Sequence, residues 1–450
     1  MSERKAPTAL GTEKTGKLLM QYAIPSIIAM TAASLYNMVD SIFIGHGVGP
    51  LAISGLALTF PLMNLAAAFG SLIGVGAATL VSVKLGQKDY DTAQRILGNV
   101  VVLNVVIGIV FSIVTLLFLD PILYFFGASE STIDYARNYI KIILAGNVVT
   151  HLYLGLNSVL RSAGHPRQAM LATIATVVIN TILDPIFIYL FDWGIQGAAI
   201  ATVVAQVVAL LWLVKLFMNK NELIHFRKSI FRLKKKIVTA SFSIGMSPFL
   251  MNMAATVVVL LINQGLKEHG GDLAIGAYGI VNRLIFLFLM IVMGLNQGMQ
   301  PIAGYNFGAQ LYSRVIHVLK LTIYAATAVT TTGFLIGMLI PRLAVSIFTP
   351  DTEMIDLASK GLRLVVLFFP IVGFQMVTSN FFQSIGMARK AIFLSLIRQI
   401  LFLIPCLFIL PEIFGSTGVW ISMPIADLAA GIVSATMLWR QFRTFKRAGI

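Results

Sequence analysis

Cysteine and charge are both scarce in this chain. Its 450 residues include one cysteine, Cys406, and only 11% are charged, against 58% hydrophobic. One cysteine excludes a disulfide framework or a cysteine-based zinc cluster. No Gly-rich loop ends in Gly-Lys-Ser/Thr, so the phosphate cradle of ATP-driven machines is missing too. Soluble chains carry roughly 25% charged residues; this one cannot cover a water-facing surface. Acids are the scarcer sign, 18 against 33 lysines and arginines, for a formal net charge of +15. Mean hydropathy is +0.88. The class that survives is a polytopic membrane protein.

A spanning helix needs about 20 mostly apolar residues. Cutting the chain at charge and Gly/Pro clusters yields twelve such stretches. They cover residues 18–44, 51–84, 93–119, 132–160, 167–191 and 195–218, then 237–265, 273–306, 313–339, 353–383, 390–411 and 416–439. The expected fold is therefore all-α, with six-helix lobes at 18–218 and 237–439, a basic linker at 219–236 and tails at 1–17 and 440–450. Residues 1–17 are polar and lack a small-residue cleavage site, so no signal peptide is expected. The connections are short and leave no room for a soluble domain.

Basic residues set the orientation. Arg4, Lys5, Lys14 and Lys17 fall on one side, with Lys84, Lys88, Arg95, Arg161 and Arg167. The run from Lys220 to Lys236 joins them, as do Arg314, Arg389, Lys390, Arg440, Arg443, Lys446 and Arg447. The alternate loops hold mainly acids: Asp120, Glu130, Asp192, Glu268, Asp272, Asp351, Glu353 and Glu412. Both termini are expected in the cytoplasm. The positive excess is a topology signal, so no nucleic-acid partner is expected.

Shifting the chain by 222 residues overlays its halves. Leu51-Ala52-Ile53 falls on Leu273-Ala274-Ile275, Gly76 on Gly298, Gly86 on Gly308 and Tyr90 on Tyr312. Ser162, Gly164, Arg167 and Ala169 fall on Ser384, Gly386, Arg389 and Ala391. Six spans per copy enter from the same side, which makes this a parallel repeat, an arrangement suited to alternating access.

The halves differ in their buried acids. A mid-span aspartate costs about 2.5–3.5 kcal/mol on insertion scales and so faces a cavity or a partner. Asp40, Asp184 and Asp427 lie well inside spans. The repeat mates of the first two are Ile262 (Asn263 if the register slips by one) and Cys406, which points to a function held by the first lobe. Asn180 lies one helical turn before Asp184, and Tyr36 and Asn37 lie about one turn before Asp40. Pro185 removes a backbone donor, and Thr202 offers a hydroxyl from the sixth span. Together these groups form an all-oxygen set of the kind hard cations prefer. Two nearby carboxyls in low dielectric resist being charged together, so the same pair suits a proton equally well. Among the second lobe's intramembrane cations, Arg398 can line a cavity, pair with Asp427 or reach the interface, and Arg283 is a further cavity candidate. His151 reads better as a satisfied core histidine than as a proton relay. The spans contain no nucleophile–base pair, so an enzyme is not expected.

The chain resembles the multidrug and toxic compound extrusion (MATE) transporters over nearly its full length. The resemblance rests on Val39-Asp40-Ser41-Ile42-Phe43-Ile44-Gly45, Leu160-Arg161-Ser162-Ala163-Gly164-His165-Pro166-Arg167 and Ile302-Ala303-Gly304-Tyr305-Asn306-Phe307-Gly308-Ala309. It implies export of cationic or amphipathic organic compounds, coupled to inward sodium ions or protons. It also implies a coupling cluster at Asp40, Asn180, Asp184 and Thr202, where Na+ is one candidate ion, with Tyr139 and Asn157 as neighbours. Another branch of the family uses acids in the seventh and tenth spans. Here those spans offer Asn252, Asn263, Gln375 and Asn380 instead, of which Gln375 and Asn380 are candidates to line a second-lobe cavity. Pro25 and Pro185 are the expected hinges.

The expectation is thus a cation-coupled multidrug antiporter of the inner or plasma membrane. It would work as a monomer in the lipid bilayer on small organic substrates, with no cofactor beyond the coupling ion. The rival reading is a flippase for lipid-linked saccharides or other lipids, built on the same duplicated lobes.

Overall fold

The computed structural model describes residues 9–447. Arg4 and Lys5 lie outside the described residues, as do the side chains of Asn37, Asp272, Lys446 and Arg447. In lipid every backbone amide must be satisfied within its own segment or against protein. The apolar runs accordingly fold as helices, and no strand occurs among the described residues. In order these are α1 (Thr15–Gly47), α2 (Pro50–Gly86), α3 (Tyr90–Leu117), α4 (Ile133–Ala145), α5 (Asn147–Ser162), α6 (Pro166–Pro185) and α7 (Gly194–Phe217). The series continues with α8 (Lys235–Gly271), α9 (Leu273–Gly308), α10 (Tyr312–Leu339), α11 (Thr352–Ser384), α12 (Ala388–Phe414) and α13 (Ser416–Arg447).

Local chemistry fixes the helix ends. Asp89 caps α3 by accepting from the Thr92 amide at 3.2 Å, and Asp351 caps α11 through the Glu353 and Met354 amides. Pro50 and Pro166 open α2 and α6, where a missing N–H costs nothing.

Two breaks depart from the expected spans. The fourth is not one straight helix over 132–160: α4 and α5 meet at Gly146 with a 54° bend. A Cβ at Gly146 would lie 2.6 Å from Val203 Cγ2 on α7, so the absent side chain lets α7 approach the corner. The seventh and eighth spans are not separated by a loop at 266–272 either. Helix runs through to Gly271, whose φ of 70° turns the chain in a single residue. That left-handed conformation comes readily only to glycine.

The chain forms two compact units. One holds Ile28–Phe249, with the short helix Ala9–Thr12. The other holds Glu13–Ile27 and everything from Leu250 onward. Each unit therefore takes in a helix start from the opposite half of the sequence. Lipid supplies no hydrophobic drive between helices, so close packing of small residues does the work. In the first unit the start of α8 crosses α2 at Gly76, whose added Cβ would run into the Ser241 carbonyl; Gly245 is equally close to the Leu72 backbone. In the second, the start of α1 crosses α9: Cβ atoms at Gly294 and Gly298 would lie 2.7 and 2.6 Å from the Cα atoms of Ile27 and Ala23. Gly76 and Gly298 are repeat mates, so the two crossings are equivalent.

Candidate functional site

The first unit's candidate site is assembled from α1, α4, α6 and α7. Asp40 is 5% exposed and Asp184 fully enclosed. A carboxylate withdrawn from water must find partners. Asn180, one turn before Asp184 on α6, donates through Nδ2 to Asp184 Oδ1 at 3.2 Å and to Thr202 Oγ1 at 3.3 Å. The Thr202 hydroxyl donates to the Ala198 carbonyl at 3.1 Å and lies 3.2 Å from the Tyr36 hydroxyl. Asp40 and Asp184 lie close enough to act on each other's charge, and Tyr139 on α4 lies close enough to feel both.

Two local features hold α1 against the end of α6. Pro185 cannot donate to the helix ladder, and the chain widens beyond it into a π-helical turn over Ile186–Leu190. From that turn Tyr189 donates to the Phe43 carbonyl at 3.0 Å, less than one turn beyond Asp40. Gly47 leaves room for the same turn: a Cβ there would lie 2.6 Å from Ile188 Cγ2.

Three buried oxygens of the cluster accept no hydrogen bond from the protein: Asp40 Oδ1, Asp184 Oδ2 and Asn180 Oδ1. Buried polar atoms are nearly always satisfied, so three together require an explanation. Two are carboxyl oxygens and one an amide oxygen, and the hydroxyls of Thr202 and Tyr36 adjoin them. Such a donor set fits a small hard cation, or a proton held between the carboxyls.

The equivalent place in the second unit is apolar. Under the 222-residue shift, Tyr36, Asp40 and Asn180 fall on Val258, Ile262 and Phe402, which belong to one hydrophobic cluster. Tyr139 falls on Gly361, where the Trp420 ring fills the space that a side chain would take. The same fold closes over hydrocarbon in one copy and over oxygen atoms in the other.

The remaining candidates are dispersed. Asn157 is buried, but it donates to the Ala169 carbonyl at 2.9 Å and accepts from Arg161 at 3.2 Å, tying α5 to the start of α6. His151 sets Nε2 2.8 Å from the Ala66 carbonyl, the contact of a core histidine. Arg398 donates through Nε to Asp427, which takes up one of the three fates open to it. Arg283 is exposed, and Asn380 accepts from Ser384 on its own helix. Gln375 is buried with its amide oxygen unpartnered, a property it shares with Asn296 and Gln399. The last two escaped the sequence reading, although their mid-span position would have marked them.

Residues 25–186 and 242–409 match the family described as MatE. The multidrug export protein MepA of Staphylococcus aureus (strain MSSA476) is 29% identical over 423 residues, covering 94% of this chain and 93% of that protein. A solved MATE in the straight conformation aligns with a TM-score of 0.91 at 25% identity, covering 98% of this chain and 99% of the other. A second, in the bent conformation, reaches 0.93 at 24% identity, covering 99% of each.

Proposed function

Since the chain belongs to the MatE family, we propose that it is a multidrug efflux antiporter whose export is driven by a sodium ion or proton taken up between Asp40 and Asp184. Its class, a multi-pass membrane transporter and not an enzyme, follows from the family and the helices. Multidrug export is carried over from MepA, a multidrug export protein.

The observation that carries the coupling reading is the pair of enclosed carboxyls, each with one unpartnered oxygen, beside the unpartnered amide oxygen of Asn180. One positive charge there relieves the mutual repulsion of the carboxyls. Asp40, Asp184, Asn180 and Thr202 would hold a sodium ion; a proton would need only the two carboxyls. Each charge moving inward across about 100 mV yields roughly 2.3 kcal/mol. That energy reaches the substrate only if the ion favours one conformation over another. The helix that carries the site has a weak point of its own. α1 carries Asp40, and Pro25 interrupts its hydrogen-bond ladder about four turns earlier, so drawing Asp40 toward Asp184 bends α1 at its weakest point.

The flippase reading needs several cations for a pyrophosphate. In the second unit Arg398 is committed to Asp427, which leaves Arg283 as the remaining sequence candidate. Proteoliposomes loaded with a fluorescent lipophilic cation, with sodium and pH gradients imposed separately, test the proposal. Efflux under one gradient or both supports it; efflux indifferent to both overturns it.

A further inference from the structure

Away from the carboxyl pair, the second unit has a recess of about 550 Å³ where α1 and α10 begin. Lys14, Gly16 and Lys17 bound it on one side, and Arg314, His317 and Leu321 on the other. Small-molecule sites span about 300–1,000 Å³, so the space is sufficient for a ligand. Among the described residues the acid alongside is Glu13, which takes the Lys17 ammonium at 3.0 Å. Lys14, Lys17 and Arg314 against this one described acid make the described lining net positive.

The recess has a defined geometry. Arg314 Nε donates to Asn306 Oδ1 at 2.9 Å, and a second guanidinium N–H donates to the Glu13 carbonyl. His317 Nδ1 lies 2.9 Å from Thr15 Oγ1. Both helices start here, so two sets of first-turn amides add to the positive potential. Gly16 keeps the floor open: a Cβ would lie 3.7 Å from Leu321 Cδ1, with no closer neighbour.

An apolar strip leads away from the charge. Met20 and Ile24 follow Gly16 at one-turn intervals on α1 and are 62% and 47% exposed; Tyr324 on α10 is 69% exposed. A positive recess continued by apolar surface matches a phospholipid, with phosphate at Lys14, Arg314 and the helix starts and acyl chains along Met20 and Ile24. A free phosphate ion would use the first feature and have no use for the second. We propose that this recess binds the phosphate of an anionic phospholipid headgroup. Basic recesses between membrane helices recognise such headgroups by their charge. The site is separate from the cation cluster and does not depend on the transport reading.

The test is titration of the full-length protein in micelles with phosphatidylglycerol and, separately, phosphatidylcholine, with bound lipid read by native mass spectrometry. Phosphatidylglycerol should be retained in preference. Lys14→Gln and Lys17→Gln should each weaken its retention by about fivefold, the equivalent of about 1 kcal/mol for a basic residue at an anionic surface. Gly16→Leu fills the floor without changing charge and favours the helix, so it should cut retention at an unchanged melting temperature. Equal retention of phosphatidylcholine, or unchanged phosphatidylglycerol retention in all three variants, overturns the proposal. Displacement by millimolar inorganic phosphate overturns the lipid assignment in favour of the free anion.

Discussion

Replacing Asp184 with asparagine is the sharpest perturbation of the coupling cluster. The amide has the carboxyl's shape and keeps an oxygen able to accept from Asn180 Nδ2, so packing around this fully enclosed side chain should survive. What disappears is one negative charge. Two unit charges about 4 Å apart interact by about 4 kcal/mol at an effective dielectric of 20. Losing that attraction weakens ion binding by roughly three orders of magnitude, at about 1.4 kcal/mol per decade. The variant should therefore insert and melt like the parent, yet show no sodium- or proton-dependent shift in melting temperature. With the ion uncoupled, the roughly 2.3 kcal/mol that each inward charge yields at about 100 mV is also lost. The substrate gradient held at steady state should then fall about fiftyfold. Proteoliposomes under an imposed gradient measure the second quantity, and thermal melting against sodium and pH the first. Parental efflux in both Asp184→Asn and Asp40→Asn would refute the reasoning.

Three further outcomes follow from the contacts. Thr202→Val removes the acceptor for Asn180 and the partner of Tyr36; it should weaken ion binding about fivefold, near 1 kcal/mol, as read by the sodium or proton dependence of melting. Asp427→Asn strips Arg398 of its ion-pair partner and should destabilise toward the lower end of about 3–5 kcal/mol, because Arg398 is 29% exposed; melting in micelles should show recovery in the Asp427→Asn/Arg398→Gln double variant. In the short helix Leu119–Phe125 before α4, the hydrogen-bonded Arg137 guanidinium holds the Asp120 carboxyl below the ordinary aspartate value of 3.8. A lowered native value means that the Asp120 contribution is complete above 3.8 and lost as pH falls through the native value. The melting difference between parent and Asp120→Asn should be flat from about pH 7 to about pH 5 and then close in acid; a difference that widens there contradicts the assignment.

The spans were legible because hydrocarbon imposes length and apolarity on every crossing segment. The bends at Gly146 and Gly271 were not, since hydropathy records how apolar a segment is and not whether it turns. Asp40 and Asp184 stood out because enclosed acids are expensive and their repeat mates are apolar. Tyr139 entered only through family resemblance, because a tyrosine in an apolar run reads as core until Thr202 is seen beside it. Arg398 and Asp427 lie 29 residues apart in sequence, and only the packing of α12 on α13 selects their pairing from the alternatives. Gly76 and Gly298 coincide in the repeat, yet nothing in the order of residues says which backbone each one meets.

The exchanged helix starts make the duplicated halves inseparable as working parts. A cut between α7 and α8 would give two polypeptides, each bearing a stretch whose packing partner was left on the other. The amino-terminal fragment would keep Glu13–Ile27 without α9, and the carboxy-terminal fragment would keep the start of α8 without α2. Neither product would be the single-copy ancestor that the repeat suggests. Expressed alone, each should be cleared as an orphan; supplied together, they should complement as split proteins do. Fusion of the copies into one gene is in this sense hard to reverse.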